Sequence, residues 1–343
     1  MGTVPFFGGD DGLLMLTRRE FMAAGIAAAA AVRAKAADVI HTVRGPIARA
    51  SLGTTLVHEH VLVDFIGAER VSRDRYDRDE VVVRVLPYLR QLREAGCRTL
   101  VECTPAFIGR DPLLLRRLAE AADLNILTNT GYYGAAADKF VPRHAWTESP
   151  RQLADRWTRE ARDGIEGTGI RPAFMKIGVD AGPLSPIDAK LVTAAALTHR
   201  ETGLIIGSHT GDGEAALAQL DLLDRHGVSP STFIWIHAQN EQDPSVHAKA
   251  AHRGAWVSFD GVGESPLERH VDLVRRMHER GLLDRVLVSQ DAGWYHVGEA
   301  NGGEFRPYTF LFERFLPAMA EAGIPNAAQT LLVDNPQRAF ATR

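Results

Sequence analysis

The chain has 343 residues, 45% hydrophobic and 24% charged, enough for a large buried core and unlike a disordered or fibrous sequence. Its 39 basic and 43 acidic residues leave a formal charge of -4 with no run of Lys or Arg, which excludes a protein that coats nucleic acid. Two cysteines, Cys97 and Cys103, are too few for a disulfide scaffold or a cysteine-built zinc finger, whereas 13 histidines are many.

Residues 17–36 read TRREFMAAGIAAAAAVRAKA. Paired Arg18 and Arg19 precede Phe21 and Met22, then an alanine-rich run, then Ala34-Lys35-Ala36 with the small residues a signal peptidase needs. The pattern predicts a twin-arginine export signal over 1–36, cleaved after Ala36. Recognition by the twin-arginine machinery and a periplasmic or secreted chain over 37–343 follow from it. An Ala-rich amphipathic helix opening the domain is the other reading of the same residues. No later stretch approaches about 18 uninterrupted apolar residues, so stable membrane insertion is not expected.

From residue 38 onward, short apolar runs alternate with longer helical patterns. The runs at 54–61, 99–104, 125–130, 173–179, 204–209, 233–238, 255–260 and 285–291 are bounded by Gly, Pro or polar residues, as in strands buried on both faces. Helical patterns lie at 80–95, 112–122, 149–163, 187–201, 214–226 and 267–280. In the first, Val81, Val85, Tyr88, Leu89 and Leu92 recur at helical spacing. Gly96, Gly203, Gly227 and Gly281 stand just past helix ends, where a left-handed cap favours glycine. Eight strands alternating with helices over about 250 residues predict a single α/β domain, a (β/α)8 TIM barrel. An open doubly wound sheet competes, but no G-x-G-x-x-G follows the first strand, which weakens its dinucleotide-binding version.

His58-Glu59-His60 closes the first strand. Residues i and i+2 of a strand share a face, so His58 and His60 point together and Glu59 points away. Such a pair is a ready bidentate metal site, or a pair of hydrogen-bonded structural residues. Lys176 lies in the fourth strand, His209 ends the fifth, His237 the sixth and Asp291 the eighth. The C-terminal strand ends of a barrel share one mouth. Four histidines, a carboxylate and a lysine are therefore expected in one small volume, where metal coordination satisfies groups that are costly to bury unpaired. The other histidines, His296 apart, fall in helical or loop patterns and are read as surface or packing residues. Cys97 and Cys103 are read as buried, inert thiols.

With Thr-Val-Arg-Gly-Pro-Ile (42–47), Leu-Val-His-Glu-His (56–60), Gly-Arg-Asp (109–111), Gly-Ile-Glu-Gly-Thr-Gly-Ile-Arg (164–171), Ser-His-Thr (208–210) and Val-Ser-Gln-Asp (288–291), the constellation resembles the phosphotriesterase family of the amidohydrolase superfamily. The likeness runs from about Asp38 to the C-terminus and is nearer the lactonase-like and uncharacterised branches than the parathion-degrading enzymes. It implies two divalent cations, zinc foremost, with cobalt, manganese or iron as alternatives. His58, His60 and Asp291 would hold the more buried ion, His209 and His237 the more exposed one, and Lys176 would bridge them as a carbamate. The resemblance further implies a hydrolase that cleaves a small-molecule ester, whether a phosphotriester, a lactone or a carboxylic ester, by attack of a metal-bridging hydroxide. Asp291 would accept the proton.

Tyr133 falls where many lactonases carry a tyrosine; it would hydrogen-bond a leaving alkoxide or pack as an aromatic on the barrel rim. A homodimer is implied by resemblance alone. Two positions depart from the family. Gly261 and Asn240 stand where its proton relay has a histidine and an aspartate, and where lactonases have an arginine there is again Gly261. In the glycine-rich loop 292–307, Trp294 and Tyr295 are expected pocket walls, and His296 is a substitute relay or a solvated loop residue. A catalytically silent periplasmic protein that binds a small molecule or metal in the same mouth is the alternative function. A mononuclear deaminase on this fold is disfavoured, since Lys176 would then have no second ion to bridge.

Overall fold

The computed structural model describes residues 39–341, and the export signal expected over 1–36 lies outside them. Each of the eight apolar runs forms a strand: β1 (Thr55–Val63), β2 (Thr99–Glu102), β3 (Asn125–Leu127, resuming at Asn129–Thr130), β4 (Phe174–Val179), β5 (Ile206–Thr210), β6 (Phe233–Ile236), β7 (Trp256–Phe259) and β8 (Val286–Val288). Neighbours pair in parallel and in chain order. The circle closes beyond β8, where the Asp291 N–H donates to the His58 carbonyl at 3.1 Å and the His60 N–H to the Ala292 carbonyl at 2.9 Å. This is the expected (β/α)8 barrel.

Helices α1 (Arg78–Glu94), α2 (Pro112–Ala122), α3 (Pro150–Asp163), α4 (Pro186–Thr202), α5 (Gly213–Arg225), α6 (Pro244–His252) and α7 (Leu267–Glu279) cover the strands. Local chemistry sets their starts. Asp111 and Asp212 accept backbone amides of the first turns of α2 and α5, Ser149 and Ser185 close capping boxes with Gln152 and Asp188, and proline opens α2, α3, α4 and α6. The sequence pattern does not announce α6, because its Ala-rich run offers almost no large apolar side chain to mark a face. No described helix is long and apolar enough to cross a membrane.

Along each strand, successive side chains serve two cores. Leu56, Leu100, Ile126, Met175, Ile206, Trp235 and Val257 pack under the helices, while Val57, Val101, Leu127, Phe174, Ile205, Ile234 and Trp256 fill the barrel interior. Ile40, Leu52 and Phe340 join the interior group, and Phe340 meets the Phe174 ring edge-on at 5.6 Å.

β1 breaks the alternation. Leu56 pairs with Leu100 but Glu59 pairs with Glu102, so β1 carries one residue more than β2 across that span, a β-bulge. With Val57 already inside, unbroken alternation would send His58 and His60 under the helices and Glu59 into the barrel. The extra residue reverses this, since a one-residue slip exchanges the faces of everything beyond it. Glu59 instead spans the seam to the segment after β8, accepting from Ser289 Oγ at 2.8 Å and from the N–H groups of Gln290 at 3.0 Å and Ala292 at 2.7 Å.

The stretch expected to be a loop after β8 begins instead as a further strand, β9 (Gly293–His296), parallel to β1. Gly293 permits it, because a Cβ there would lie 1.8 Å from the His60 carbonyl oxygen.

Replacing Glu59 by Gln sets an amide donor against the backbone donors of the seam. The expected cost is about 1–3 kcal/mol, read as a lower midpoint in urea unfolding. An unchanged midpoint would show that closure between the first and eighth strands does not depend on this side chain.

Candidate metal centre

Plain alternation carries two of the predicted residues to the C-terminal mouth. Lys176 lies one interior position beyond Phe174 and His209 two beyond Ile205, while Asp291, past the end of β8, enters the pocket on a left-handed backbone with φ 50°. His58 and His60 arrive through the bulge. His237 follows the interior Ile236 and by alternation would face outward; its left-handed backbone, φ 64°, turns it inward. All six line one pocket of about 330 Å³, together with Tyr133 and the apolar walls Val63, Phe65, Ile108, Phe140 and Trp294. The rings of His58 and His237 lie 4.9 Å apart, and those of His209 and His237 4.5 Å.

The hydrogen bonds behind these rings decide where their protons sit. His58 Nδ1 lies 3.2 Å from Asp260 Oδ2, and His237 Nδ1 lies 2.7 Å from Asp260 Oδ1. Burial alone would raise the Asp260 pKa, but the charges and hydrogen bonds of His237 and His58 hold it well below the usual carboxylate range. An ionised carboxylate only accepts, so both Nδ1 atoms carry hydrogen. His60 Nδ1 lies 2.8 Å from Thr104 Oγ1, whose own hydroxyl donates to Glu102, so His60 also donates from Nδ1. In its neutral form, each of the three rings therefore presents an Nε2 lone pair to the pocket. Burial pushes His60 down to about 4 and also lowers His58. At His237 burial acts downward too, but Asp260 outweighs it and raises the pKa, so a proton and a cation compete for that Nε2.

The result is a knot of electron pairs. His58 Nε2 and His60 Nε2 face each other at 3.1 Å, and Asp291 Oδ1 lies 3.1 Å from the latter and 3.5 Å from the former. Asp291 Oδ1 is buried without a hydrogen-bond partner. Donors this close repel one another unless a cation sits among them. The residues fit a divalent metal.

Among the described residues, two groups bring donor atoms within 4.8 Å of one another: His58, His60 and Asp291, and His58, His237 and Asp260. Both Asp260 oxygens are engaged by Nδ1 protons, so Asp260 orients the rings and leaves ligation to Nε2. The sequence reading missed it, although an acidic residue two positions beyond the interior Ser258 at the mouth end of a strand was the available signal. His209 lines the pocket outside both groups, with its pKa pushed well below the ordinary value by burial. Lys176 is 2% exposed, and its Nζ lies 5.8 Å from the centre of the Tyr133 ring with no hydrogen bond among the described residues.

Tyr133 stands edge-on to His209 at 5.0 Å. Trp294 packs on His60 at 4.3 Å. Tyr295 is not a wall of this pocket: alternation along β9 turns it away, into a separate surface hollow shared with Tyr88 of α1. His296 also stays off the pocket lining, parallel to Trp294 and 3.8 Å from Glu299. Neither Gly261 nor Asn240 lines it; Asn240 is exposed and Gly261 abuts Gln239. Cys97 and Cys103 are buried, with the Cys97 thiol pushed up to about 12 by burial.

Fold and donor cluster together define a β/α-barrel protein whose mouth carries a donor set that fits a cation. The chain belongs to the phosphotriesterase family, whose model matches residues 38–340. It is 31% identical over 293 residues to the phosphotriesterase homology protein of Escherichia coli K12, covering 84% of this chain and 98% of that one. The solved organophosphorus hydrolase from Deinococcus radiodurans superposes with a TM-score of 0.78 at 27% identity, over 88% of this chain and 97% of that one. A second solved structure, described as organophosphate hydrolysis activity engineered from a weak promiscuous lactonase template, gives 0.79 at 28% identity over 88% and 99%.

Asp260→Asn presents an amide N–H2 to one of the two rings, which must then turn its proton into the pocket. Cobalt affinity is expected to fall about 10–100-fold, measured by competition with a chromophoric chelator while circular dichroism confirms the fold. Undiminished affinity would remove Asp260 from this positioning role.

Proposed function

We propose that the protein is a metal-dependent hydrolase of a small-molecule ester, whether a phosphotriester, a lactone or a carboxylic ester. The observation that carries the reading is the convergence of His58 Nε2, His60 Nε2 and Asp291 Oδ1 within 3.5 Å of one another. Family membership supports it, as do the organophosphate and lactonase descriptions of the two structural relatives.

In this reading His58, His60 and Asp291 would hold one divalent cation and His209 and His237 a second, with Lys176, as a carbamate, the ligand shared between them. Zinc suits the imidazole-rich set, with cobalt, manganese or iron as substitutes. A buried amine without a hydrogen-bond partner, beside two dications, would lose its extra proton to solvent and add to CO₂, the N–C bond forming as a second proton leaves, so that an anionic carbamate stands where a cation stood. The bound ions supply an activated water and polarise the carbonyl or phosphoryl oxygen of the ester.

Asp291 accepts the proton of the attacking water. Its side chain is 14% exposed, which gives that proton a way out to solvent where Gly261 and Asn240 offer none. Tyr133 stays a donor, because burial raises its pKa, and its hydroxyl hydrogen-bonds the leaving alkoxide. Val63, Ile108 and Trp294 exclude water from the reacting bond. The twin-arginine pattern at 18–36 supports export to the periplasm or beyond, and a homodimer belongs to the same proposal.

Chelation followed by restoration with zinc, cobalt or manganese tests the reading on a panel of lactones, aryl esters and phosphotriesters. Turnover is expected to vanish and return with the metal. Hydrolysis that survives complete metal removal would exclude the mechanism, and tight ligand binding without turnover by the loaded protein would favour a silent binding protein. Asp291→Asn is expected to lower kcat by about 10²–10⁴-fold in stopped assays on the best substrate found.

A further inference from the structure

Outside the donor cluster, one charged side chain lines the pocket, Lys139. The chain uses 34 arginines and only 5 lysines. Among the described residues, arginine and histidine make the ion pairs with carboxylates and lysine makes none. Yet two of the five lysines, Lys139 and Lys176, face this one pocket.

Lys139 is an exposed residue whose Nζ lies 5.3 Å from the centre of the Phe140 ring, with no hydrogen bond or carboxylate partner among the described residues. Packing on Phe140 accounts for the stem of the side chain and leaves its charge without a use. The loop that carries it is held in an unfavourable shape. Ala136, Ala137 and Asp138 take left-handed backbone in succession, with φ of 60°, 53° and 62°, a conformation non-glycine residues rarely adopt. Asp180, just past β4, fixes that turn by accepting the N–H groups of Ala136 at 2.8 Å and Ala137 at 3.0 Å. The Lys139 carbonyl accepts from Ala68 N–H at 3.2 Å. Both Asp180 oxygens are thereby engaged, and the loop delivers an unpaired ammonium to the lip of an apolar cavity.

We propose, resting on the hydrolase reading, that Lys139 is a specificity determinant that reads an anionic oxygen group of the substrate, a carboxylate or a phosphate remote from the scissile bond. The ester cleaved is then an anion whose carbon chain lies along Val63, Phe65 and Phe140 between the reacting centre and the lysine. Low-dielectric walls strengthen attraction between the two charges relative to open water. Lysine suits the task, as a compact charge with three rotatable donors on a flexible stem. An uncharged ester would gain the apolar walls without the lysine.

Matched p-nitrophenyl esters of pentanoate, glutarate and 4-phosphonobutyrate test this on the metal-loaded protein, since they differ only in a terminal methyl, carboxylate or phosphonate. Wild type is expected to prefer a charged ester, and the better of the two identifies the anion. In Lys139→Met the ratio of kcat/KM for charged over neutral ester is expected to fall about ten-fold, mainly through KM, with Lys139→Arg retaining most of it. Raising the salt concentration should shrink the wild-type preference. A wild type indifferent to charge, or a Lys139→Met variant with an unchanged ratio, overturns the proposal. Calorimetric titration with glutaric acid monoamide against pentanamide reads the same preference without chemistry. Equal binding of the two overturns the inference, whereas selective binding without turnover sustains it and counts against the hydrolase reading alone.

Discussion

Asp260 lies between His58 and His237, and its charge keeps a proton on the Nδ1 of each ring, on the side away from the pocket. Everything the mouth of the barrel can hold depends on that arrangement. A buried carboxylate is costly by itself, and this one is stabilised by two imidazole donors, the His237 N–H and Gln239 Nε2. Gln239 also accepts the Asp260 N–H, so the side chain that sets both tautomers is clamped from two directions. Thr104 and Glu102 do the same for His60 from the other side of the barrel. The polar groups behind the donors are as much a part of the site as the donors themselves.

The barrel makes this possible by giving each strand two faces with different duties. Interior positions near the N-terminal end are apolar and close the bottom, whereas interior positions near the C-terminal end are polar and converge. Asp291 lies beyond the end of β8 on a left-handed backbone, whereas Lys176 and His209 follow that rule from strand alternation, and these positions could be read from the sequence. So could the eight strands, because each is a compact apolar run with a clear boundary. The family likeness carried the donor set further than periodicity alone could.

What escaped the sequence is where the backbone departs from the rule. The i, i+2 spacing of His58 and His60 shows that they share a face, but only the bulge in β1 shows which one. His237 reaches the pocket through a left-handed residue, a conformation that nothing in Phe-Ile-Trp-Ile-His signals. Asp260 went unnoticed because a carboxylate at a strand end has no motif of its own; its role exists only once His58 and His237 are beside it. Tyr295 was expected beside Trp294 in the pocket because the loop was read without strand character. Pairing of β9 with β1 sends neighbouring side chains to opposite sides.

The bulge gives β1 a parity. Removing Val57 would erase the bulge and let Leu56, His58, Glu59 and His60 alternate evenly, with both histidines still inward and Glu59 still at the seam. Removing Val57 and His58 together would instead make Glu59 follow the outward Leu56, handing the interior to Glu59 and Val61 and turning His60 beneath α1. Substitution in this stretch is therefore a graded matter, whereas a change of length acts through its parity, and loss of the one extra residue is the change that leaves every face beyond it as it is.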